Sequence, residues 1–145
     1  MPYVHVWFGT KGRKWLLQGD VLTSTREVLR DVAVEKGIHV LELEAIVDHV
    51  HLLLELPDKS ELPRAMMILK GVSTHHLLQL YPELKLDAHT NSFWQTGYGS
   101  KLVPPGAIDS TRSYIRTQWD RLEKYDRGDL MPRGSARGMD LTSRR

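Results

Sequence analysis

A chain of 145 residues with 41% hydrophobic side chains is long enough to bury one core, so a single folded domain is expected. Twenty basic against 18 acidic residues give a net charge of only +2, which by itself does not indicate a nucleic-acid partner. The absence of cysteine excludes a disulfide scaffold and a cysteine nucleophile. No apolar run could span a bilayer and the first residues do not resemble a signal peptide, so we expect a cytoplasmic protein with no membrane partner.

The first part of the chain predicts a strand, a helix and a hairpin. β-Branched and aromatic residues over 3–9 predict the first strand. Apolar positions recur at helical spacing from Asp20, and Gly37 is placed to end that helix. Residues 38–47 alternate as a half-buried strand does, with Leu41 on the apolar face. A tight turn leads directly into another strand, so these two strands should pair as an antiparallel hairpin.

The second part predicts two further helices with a short strand region between them. One helix spans about residues 60–80, where leucine and methionine recur on one stripe. Glycines divide the segment 91–105 and predict a short strand or strand pair. A third helix is predicted over about residues 109–125, after two prolines and a glycine.

The order of these elements predicts an α+β fold. Strand, helix, strand, strand, helix and strand in succession are typical of a ferredoxin-like sandwich, an antiparallel sheet with helices packed on it. Residues 1–126 form this domain in the prediction. The polar, glycine-rich residues 127–145 show no period and are expected to be a flexible C-terminal tail.

Two histidines lie at the start of the second hairpin strand, in the segment DHVHLLLELP at 48–57. Side chains at i and i+2 of a strand share a face, so His49 and His51 point to one side while Val50 and alternate leucines point to the other. The leucine face should pack on the helices, which leaves two neighbouring imidazoles that could bind one metal ion. Asp48 either fixes a histidine tautomer or stabilises the turn.

The third predicted helix carries residues that could complete such a site. Tyr114 and Gln118 lie four residues apart and share a helix face. A glutamine oxygen is a hard, neutral ligand, so Gln118 and the two histidines would suit Mg²⁺ or Mn²⁺, and Tyr114 could attack a phosphate polarised by that ion. The alternative is that Tyr114 is an ordinary surface residue and Gln118 is solvated.

Together these segments resemble the small HUH tyrosine transposases of bacterial and archaeal insertion sequences, which act on single-stranded DNA. The name stands for histidine, hydrophobe, histidine, which residues 49–51 match, and the Tyr-x-x-x-Gln of the nucleophile helix is matched by Tyr114 and Gln118. The segments TKGRK, LKGVSTHHL and FWQTGYG extend the resemblance to about residues 3–125.

The resemblance implies a metal-dependent DNA transposase that cleaves and rejoins single-stranded DNA at the hairpin-flanked ends of an insertion sequence. Tyr114 would be the catalytic nucleophile and form a 5′-phosphotyrosine intermediate. His49, His51 and Gln118 would bind the divalent metal, Mg²⁺ or Mn²⁺. The family resemblance also implies a homodimer, in which Tyr114 acts either in cis or in trans.

Basic residues near the N-terminus are the candidates for DNA binding. Lys11, Arg13 and Lys14 lie in a stretch without acidic residues, and Lys70 joins them as a candidate phosphate contact. Trp7 is expected in the core rather than stacked on a base. Two other functions fit the sequence: a non-catalytic, ferredoxin-like nucleic-acid-binding protein, in which the histidines only pack or form hydrogen bonds, and a nicking replication initiator.

Overall fold

The computed structural model of the chain describes residues 1–88 and 92–121, so the predicted tail and the predicted end of the third helix lie outside the described residues. This part of the chain contains four strands and four α-helices. In chain order they are β1 (Tyr3–Gly9), α1 (Gly19–Glu35), β2 (His39–Ile46), β3 (His49–Glu55), α2 (Leu62–Leu80), α3 (Glu83–Ala88), β4 (Gly99–Val103) and α4 (Ile108–Arg116). None of the helices seen here has the length and apolar character needed to cross a membrane.

The strands form one antiparallel sheet in the order β2-β3-β1-β4. This confirms the predicted α+β, ferredoxin-like sandwich. The predicted hairpin is confirmed as well, with Ile46 of β2 opposite His49 of β3. Only Val47 and Asp48 connect these two strands, and Val47 has a φ of 45°, which is unusual for a β-branched residue.

The two faces of the sheet have different partners. Helices α1 and α2 cover one face and enclose the main core, which includes Leu52 and Leu54 of β3, both 0% exposed. Helix α4 covers the other face, where Ile115 packs against Leu53 and Val103. Successive side chains of β3 point to opposite faces, so one strand contributes to both cores. Each buried leucine contributes about 1.5–3 kcal/mol to the stability of the fold.

Because β2 contains a bulge, Leu41 lies on the face of the sheet opposite the predicted one. The sequence alternation predicts Leu41 on the side of the main core, but Leu41 packs on the α4 side with Leu53. The register of β2 against β3 shifts between Val40 and Glu42, because the bulge adds one residue to β2. An added residue transfers a side chain to the opposite face of the sheet.

Tyr114 lies on α4, the fourth helix rather than the predicted third, because the short helix α3 precedes β4. Helix α4 begins one residue before the predicted start and ends at Arg116. Residues 118–121 are again helical after a break at Thr117, whose hydroxyl donates a hydrogen bond to the Ser113 carbonyl oxygen at 2.9 Å. Such a bond from a threonine to the preceding turn often accompanies a bend in a helix.

Candidate active site

The two predicted metal-binding histidines lie together on the face of the sheet that α4 covers. The ring centroids of His49 and His51 are 4.9 Å apart. His51 is buried, at 8% exposure, whereas His49 at the start of β3 is partly exposed. The alternation of β3 therefore produces the predicted pair of neighbouring imidazoles.

Asp48 joins His49 to the loop after β1 that carries Lys11, Arg13 and Lys14, called the basic loop below. Its buried carboxylate lies 2.9 Å from Nδ1 of His49 and accepts a hydrogen bond from Nε of Arg13 at 3.2 Å. Burial raises the pKa of the Asp48 carboxyl, but the hydrogen bonds from His49 and Arg13 outweigh burial and hold that pKa below its ordinary value. The ionised carboxylate can only accept, so it fixes the proton of His49 on Nδ1.

Two side chains of β1, which the sequence patterns do not predict as part of the site, lie on the same face. Trp7 is the register partner of His51, and Nε2 of His5 lies 2.9 Å from Nδ1 of His51. Burial, together with the neighbouring His49 and His5, lowers the pKa of His51 to about 3. Burial and the nearby Lys101 also lower the pKa of His5. Both imidazoles are therefore neutral at neutral pH.

The expectation that Trp7 lies in the core is wrong. Trp7 is 37% exposed, its ring centroid is 5.0 Å from that of His5, and it lies against Gly99 of β4. The alternation of VHVW does place His5 and Trp7 on one face of β1. Only the pairing of β1 with β3 shows that this face is the one that bears His51.

Tyr114 lies beside the histidines of its own chain. Its ring centroid is 5.8 Å from the rings of both His5 and His51, in edge-on geometry, and the residue is 40% exposed. The guanidinium of Arg121 lies 4.6 Å from the Tyr114 ring centroid, a cation–π contact. The structure thus brings the predicted nucleophile to His51, one of the two predicted metal-binding histidines, within one chain.

A cleft of about 700 Å³ opens between the sheet and α4 at this point. Its volume lies in the range of sites that bind small ligands or parts of larger ones. The sheet contributes imidazole, indole and ammonium groups and the helix contributes hydroxyls. Its polar and aromatic lining includes His5, Trp7, His51, Lys101, Ser110 and Tyr114.

Gln118 is buried on the helical segment that follows α4. Its side-chain Nε2 donates a hydrogen bond to the Tyr114 carbonyl oxygen at 2.9 Å, which leaves the amide oxygen for a ligand. The neighbouring Trp119 donates from Nε1 to the Ala45 carbonyl oxygen at 3.0 Å and so fixes this segment to β2. The side chain of Gln118 thus forms its hydrogen bond with Tyr114 rather than with the histidines.

The chemistry of the candidate donors, two imidazoles and an amide oxygen, suits a divalent metal ion. Within residues 1–88 and 92–121, no three His, Cys, Asp or Glu side chains form a metal-binding group. A site here therefore needs a donor of another kind beside His49 and His51, and the Gln118 amide oxygen is such a donor. Both histidines have Nδ1 in a hydrogen bond, so Nε2 is the atom that each can offer to a metal.

The basic loop lies at the same end of the sheet as the histidine pair, since the last residue of β1 is the register partner of His49. Lys11 and Lys14 on this loop have exposed side chains. Arg13 is 43% exposed and bound to the buried Asp48. The loop therefore places predicted phosphate contacts close to the candidate metal ligands. Through its bond to Asp48, Arg13 also helps to orient the imidazole of His49.

Lys70 lies on α2, which covers the face of the sheet opposite the histidine pair. Its Nζ donates hydrogen bonds to the carbonyl oxygens of Gln95 at 2.8 Å and Gly97 at 2.5 Å, and it lies 5.7 Å from the Phe8 ring centroid. Burial lowers the pKa of the Lys70 ammonium. Lys70 thus fastens the loop before β4 to α2, a role that helical periodicity cannot reveal.

Comparison with known proteins gives the family of the chain. The family model described as "Transposase IS200 like" matches residues 2–118, a span that includes every candidate catalytic and metal-binding residue. The chain belongs to the IS200-like transposase family. This transposase is 31% identical over 117 residues to the ISDra2 transposase TnpA of Deinococcus radiodurans, a match that covers 81% of this chain and 84% of that protein. It is 33% identical over 114 residues to the transposase for insertion sequence element IS200 of Salmonella typhimurium, covering 79% and 74%.

Solved structures agree with the fold of this IS200-like transposase. A transposase structure from Deinococcus radiodurans R1 superposes with a TM-score of 0.66 at 28% identity, covering 81% of this chain and 92% of that chain. A REP-associated tyrosine transposase bound to a REP hairpin has the same fold, with a TM-score of 0.60, 12% identity and coverage of 89% and 70%. The family resemblance seen in the sequence is confirmed: the protein is a transposase that acts on DNA.

Proposed function

We propose that this transposase cleaves and rejoins single-stranded DNA at hairpin-flanked insertion-sequence ends through a 5′-phosphotyrosine on Tyr114. The observation that carries the proposal is the position of the Tyr114 ring, 5.8 Å from the ring of His51. An exposed phenol beside a candidate metal ligand, at the mouth of a cleft, can meet a phosphate bound at that metal site. The same chain supplies all of these groups, and in the proposed homodimer Tyr114 acts either in cis or in trans.

The reaction exchanges one phosphodiester for another. The Tyr114 oxygen forms a bond to the scissile phosphorus, the bond from phosphorus to the 3′ oxygen breaks, and that oxygen leaves with a proton as a 3′-hydroxyl. A 3′-hydroxyl from another strand reverses the step and releases the tyrosine. Because the bond energy is kept in the protein–DNA link, no nucleoside triphosphate is needed.

The metal ligands in this proposal are His49, His51 and Gln118, with Mg²⁺ or Mn²⁺ as the ion. When bound, the ion would neutralise charge on the non-bridging oxygens of the phosphate. Asp48 holds the imidazole of His49 in one tautomer through its Nδ1. The buried Gln118 donates to the Tyr114 carbonyl oxygen, so this hydrogen bond spans the break at Thr117 and links the candidate ligand to the helix that bears the nucleophile.

The proposed partner is a DNA hairpin with single-stranded flanks, bound by a homodimer. Lys11 and Lys14 are exposed at the end of the sheet that bears the histidines, where they can contact phosphates. A structural neighbour of the same fold is bound to a REP hairpin, which supports this class of substrate. The homodimer rests on the resemblance to HUH transposases.

The proposal is tested by trapping the covalent intermediate. The full chain is incubated with oligonucleotides from its genomic flanks and Mg²⁺ or Mn²⁺, and adducts are separated on a denaturing gel. Wild type should form an adduct that EDTA prevents and that Tyr114→Phe abolishes. Tyr98→Phe is the matched control, since Tyr98 is 38% exposed against 40% for Tyr114, and this variant should retain the adduct.

Two results would contradict the proposal. An adduct that persists in Tyr114→Phe would assign the nucleophile to another residue. Failure of every flank-derived hairpin to form an adduct, with metal demonstrably bound, would instead favour a non-catalytic DNA-binding protein of the same fold.

A further inference from the structure

His5 is the one histidine of β1, and it makes a direct hydrogen bond with a candidate metal ligand. Its Nε2 lies 2.9 Å from Nδ1 of His51, and the two ring centroids are 5.2 Å apart with an interplanar angle of 30°. The register places His5 diagonally across from His51, since the direct partner of His51 is Trp7. The strand pairing thus sets this contact, and β1 and β3 are central in the sheet.

The arrangement at His51 parallels the arrangement at His49. Nδ1 of His49 faces the Asp48 carboxylate at 2.9 Å, and Nδ1 of His51 faces His5. A neutral imidazole has one N–H and one lone pair, so whichever nitrogen carries the proton determines which nitrogen can bind a metal. At His49 the question is settled, because a carboxylate accepts and cannot donate.

At His51 the partner is another imidazole, which can either donate or accept. If Nε2 of His5 accepts, the proton of His51 lies on Nδ1 and its Nε2 lone pair is available to a metal ion. If Nε2 of His5 donates, Nδ1 of His51 is occupied as an acceptor and Nε2 of His51 carries the remaining proton. In that state neither nitrogen of His51 can bind a metal.

We infer that His5 is a positioning residue for the metal site, an acceptor that holds His51 in the tautomer whose Nε2 lone pair can bind a metal ion. This inference deepens the proposed function and rests on it. Partners that hold the second nitrogen of a ligating histidine orient the ring and raise its basicity, and their loss typically weakens metal binding roughly 10- to 100-fold. In this chain an imidazole on the neighbouring strand takes the place of the usual carboxylate or carbonyl oxygen.

The first test reads the tautomer in the metal-free full chain. Long-range ¹⁵N–¹H NMR of the imidazoles at neutral pH distinguishes a protonated from an unprotonated ring nitrogen. The expected spectrum shows His51 with its proton on Nδ1 and His5 with an unprotonated Nε2. A spectrum with the His51 proton on Nε2 would overturn the inference whatever the activity of the protein.

The second test measures Mn²⁺ affinity by electron paramagnetic resonance. His5→Phe keeps a ring of similar size but removes the acceptor, so binding should weaken roughly 10- to 100-fold. His5→Gln places an amide oxygen where Nε2 stood and should recover most of the affinity. The matched control is His39→Phe on β2, where the histidine side chain is 65% exposed and paired with Glu55. The Mn²⁺ affinity of this variant should equal that of wild type.

The outcomes separate this inference from the proposed function. Equal Mn²⁺ affinity of His5→Phe and wild type would overturn the role of His5 and leave the Tyr114 reaction standing. Normal Mn²⁺ binding without any Tyr114 adduct would overturn the reaction and leave the role of His5 standing. Wild type that binds no Mn²⁺ would overturn both, and circular dichroism shows whether each variant is folded.

Discussion

The indole of Trp7 occupies the space in which a side chain of Gly99 would stand. A Cβ built on Gly99 would lie 2.2 Å from Cε2 of Trp7, far closer than non-bonded atoms can approach. Because the two residues are register partners on β1 and β4, the absence of a side chain at Gly99 lets the indole lie across β4 and form one side of the cleft.

Substituting Gly99→Ala should therefore displace Trp7 and destabilise the protein by about 1–3 kcal/mol, the usual cost of forcing extra atoms into a packed site. Chemical denaturation measures the loss, and tryptophan emission should shift as the indole changes its environment. Gly106→Ala is the control, because a Cβ at Gly106 meets nothing within 4 Å. Equal stability of Gly99→Ala and wild type would show that the sheet accommodates the methyl group.

The carboxylate of Glu42 on β2 fastens α4 to the sheet. Its Oε2 accepts hydrogen bonds from Nε of Arg112 and Nη1 of Arg116, both at 3.0 Å. We expect Glu42→Gln to reduce stability by about 1 kcal/mol, since partly exposed ion pairs contribute little each. Hydrogen exchange should increase in α4 more than in α1. The control is Glu35→Gln, which alters the exposed pair of Glu35 and Lys36 and should leave exchange in α4 unchanged. Unchanged exchange in α4 of Glu42→Gln would refute the role of Glu42.

Stability of the metal-free protein should fall as the pH falls below about 6.5. The pKa of His51 is about 3 in the folded state against 6.5 for the free side chain, so between these values the unfolded chain binds the extra proton. Burial lowers the pKa of His5 too, which acts in the same direction. The stabilisation is complete above pH 6.5 and is lost progressively toward pH 3, at up to about 1.4 kcal/mol per pH unit for His51.

The measurement is the free energy of unfolding in EDTA at several pH values above about 4.5, where the Asp48 carboxyl is ionised in both states because its pKa is 3.8 in the unfolded chain and lower in the folded protein. Wild type should lose about 2 kcal/mol through His51 between pH 7 and pH 5. His51→Gln should show a clearly shallower dependence. Identical slopes would contradict this, because they would mean that His51 binds a proton as readily in the folded protein as in the unfolded chain.

Lys70 should matter for folding more than for direct contact with DNA. Lys70→Met removes the two hydrogen bonds to Gln95 and Gly97 and should destabilise the protein by about 1.5–3 kcal/mol, the range for hydrogen bonds from a charged donor. Lys11→Met, at an exposed position, should leave stability unchanged and weaken DNA binding with a smaller salt dependence. A fully stable Lys70→Met with the same DNA-binding defect as Lys11→Met would restore Lys70 as a phosphate contact.

Local patterns predicted much of this architecture because they act over a few residues. The alternation of β3 placed Leu52 and Leu54 on one face, which α1 and α2 cover, and His51 on the opposite face, as observed. The spacing of Tyr114 and Gln118 predicted one continuous helix, whereas the structure breaks it at Thr117 and keeps the two residues linked by a hydrogen bond. The bulge at Leu41 is different, because it depends on how β2 pairs with β3 and leaves no sign in the alternation.

Contacts between distant segments account for what the sequence could not predict. His5 and His51 are separated by 46 residues, and only the register of β1 on β3 brings their nitrogens to 2.9 Å. A lysine is expected to be a solvated surface cation, yet Nζ of Lys70 donates hydrogen bonds to carbonyl oxygens 25 and 27 residues away. Backbone acceptors are the same for every residue type, so sequence cannot single them out.

The division of the sheet into two differently covered faces has an evolutionary consequence. The larger core, under α1 and α2, does not involve Tyr114 or the histidine pair, so a gene copy can lose the nucleophile by mutation and still encode a folded protein. Decay of activity and decay of structure are then independent events. Descendants of such an inactive copy would keep the scaffold, and with it a surface that selection could adapt to DNA binding without strand breakage.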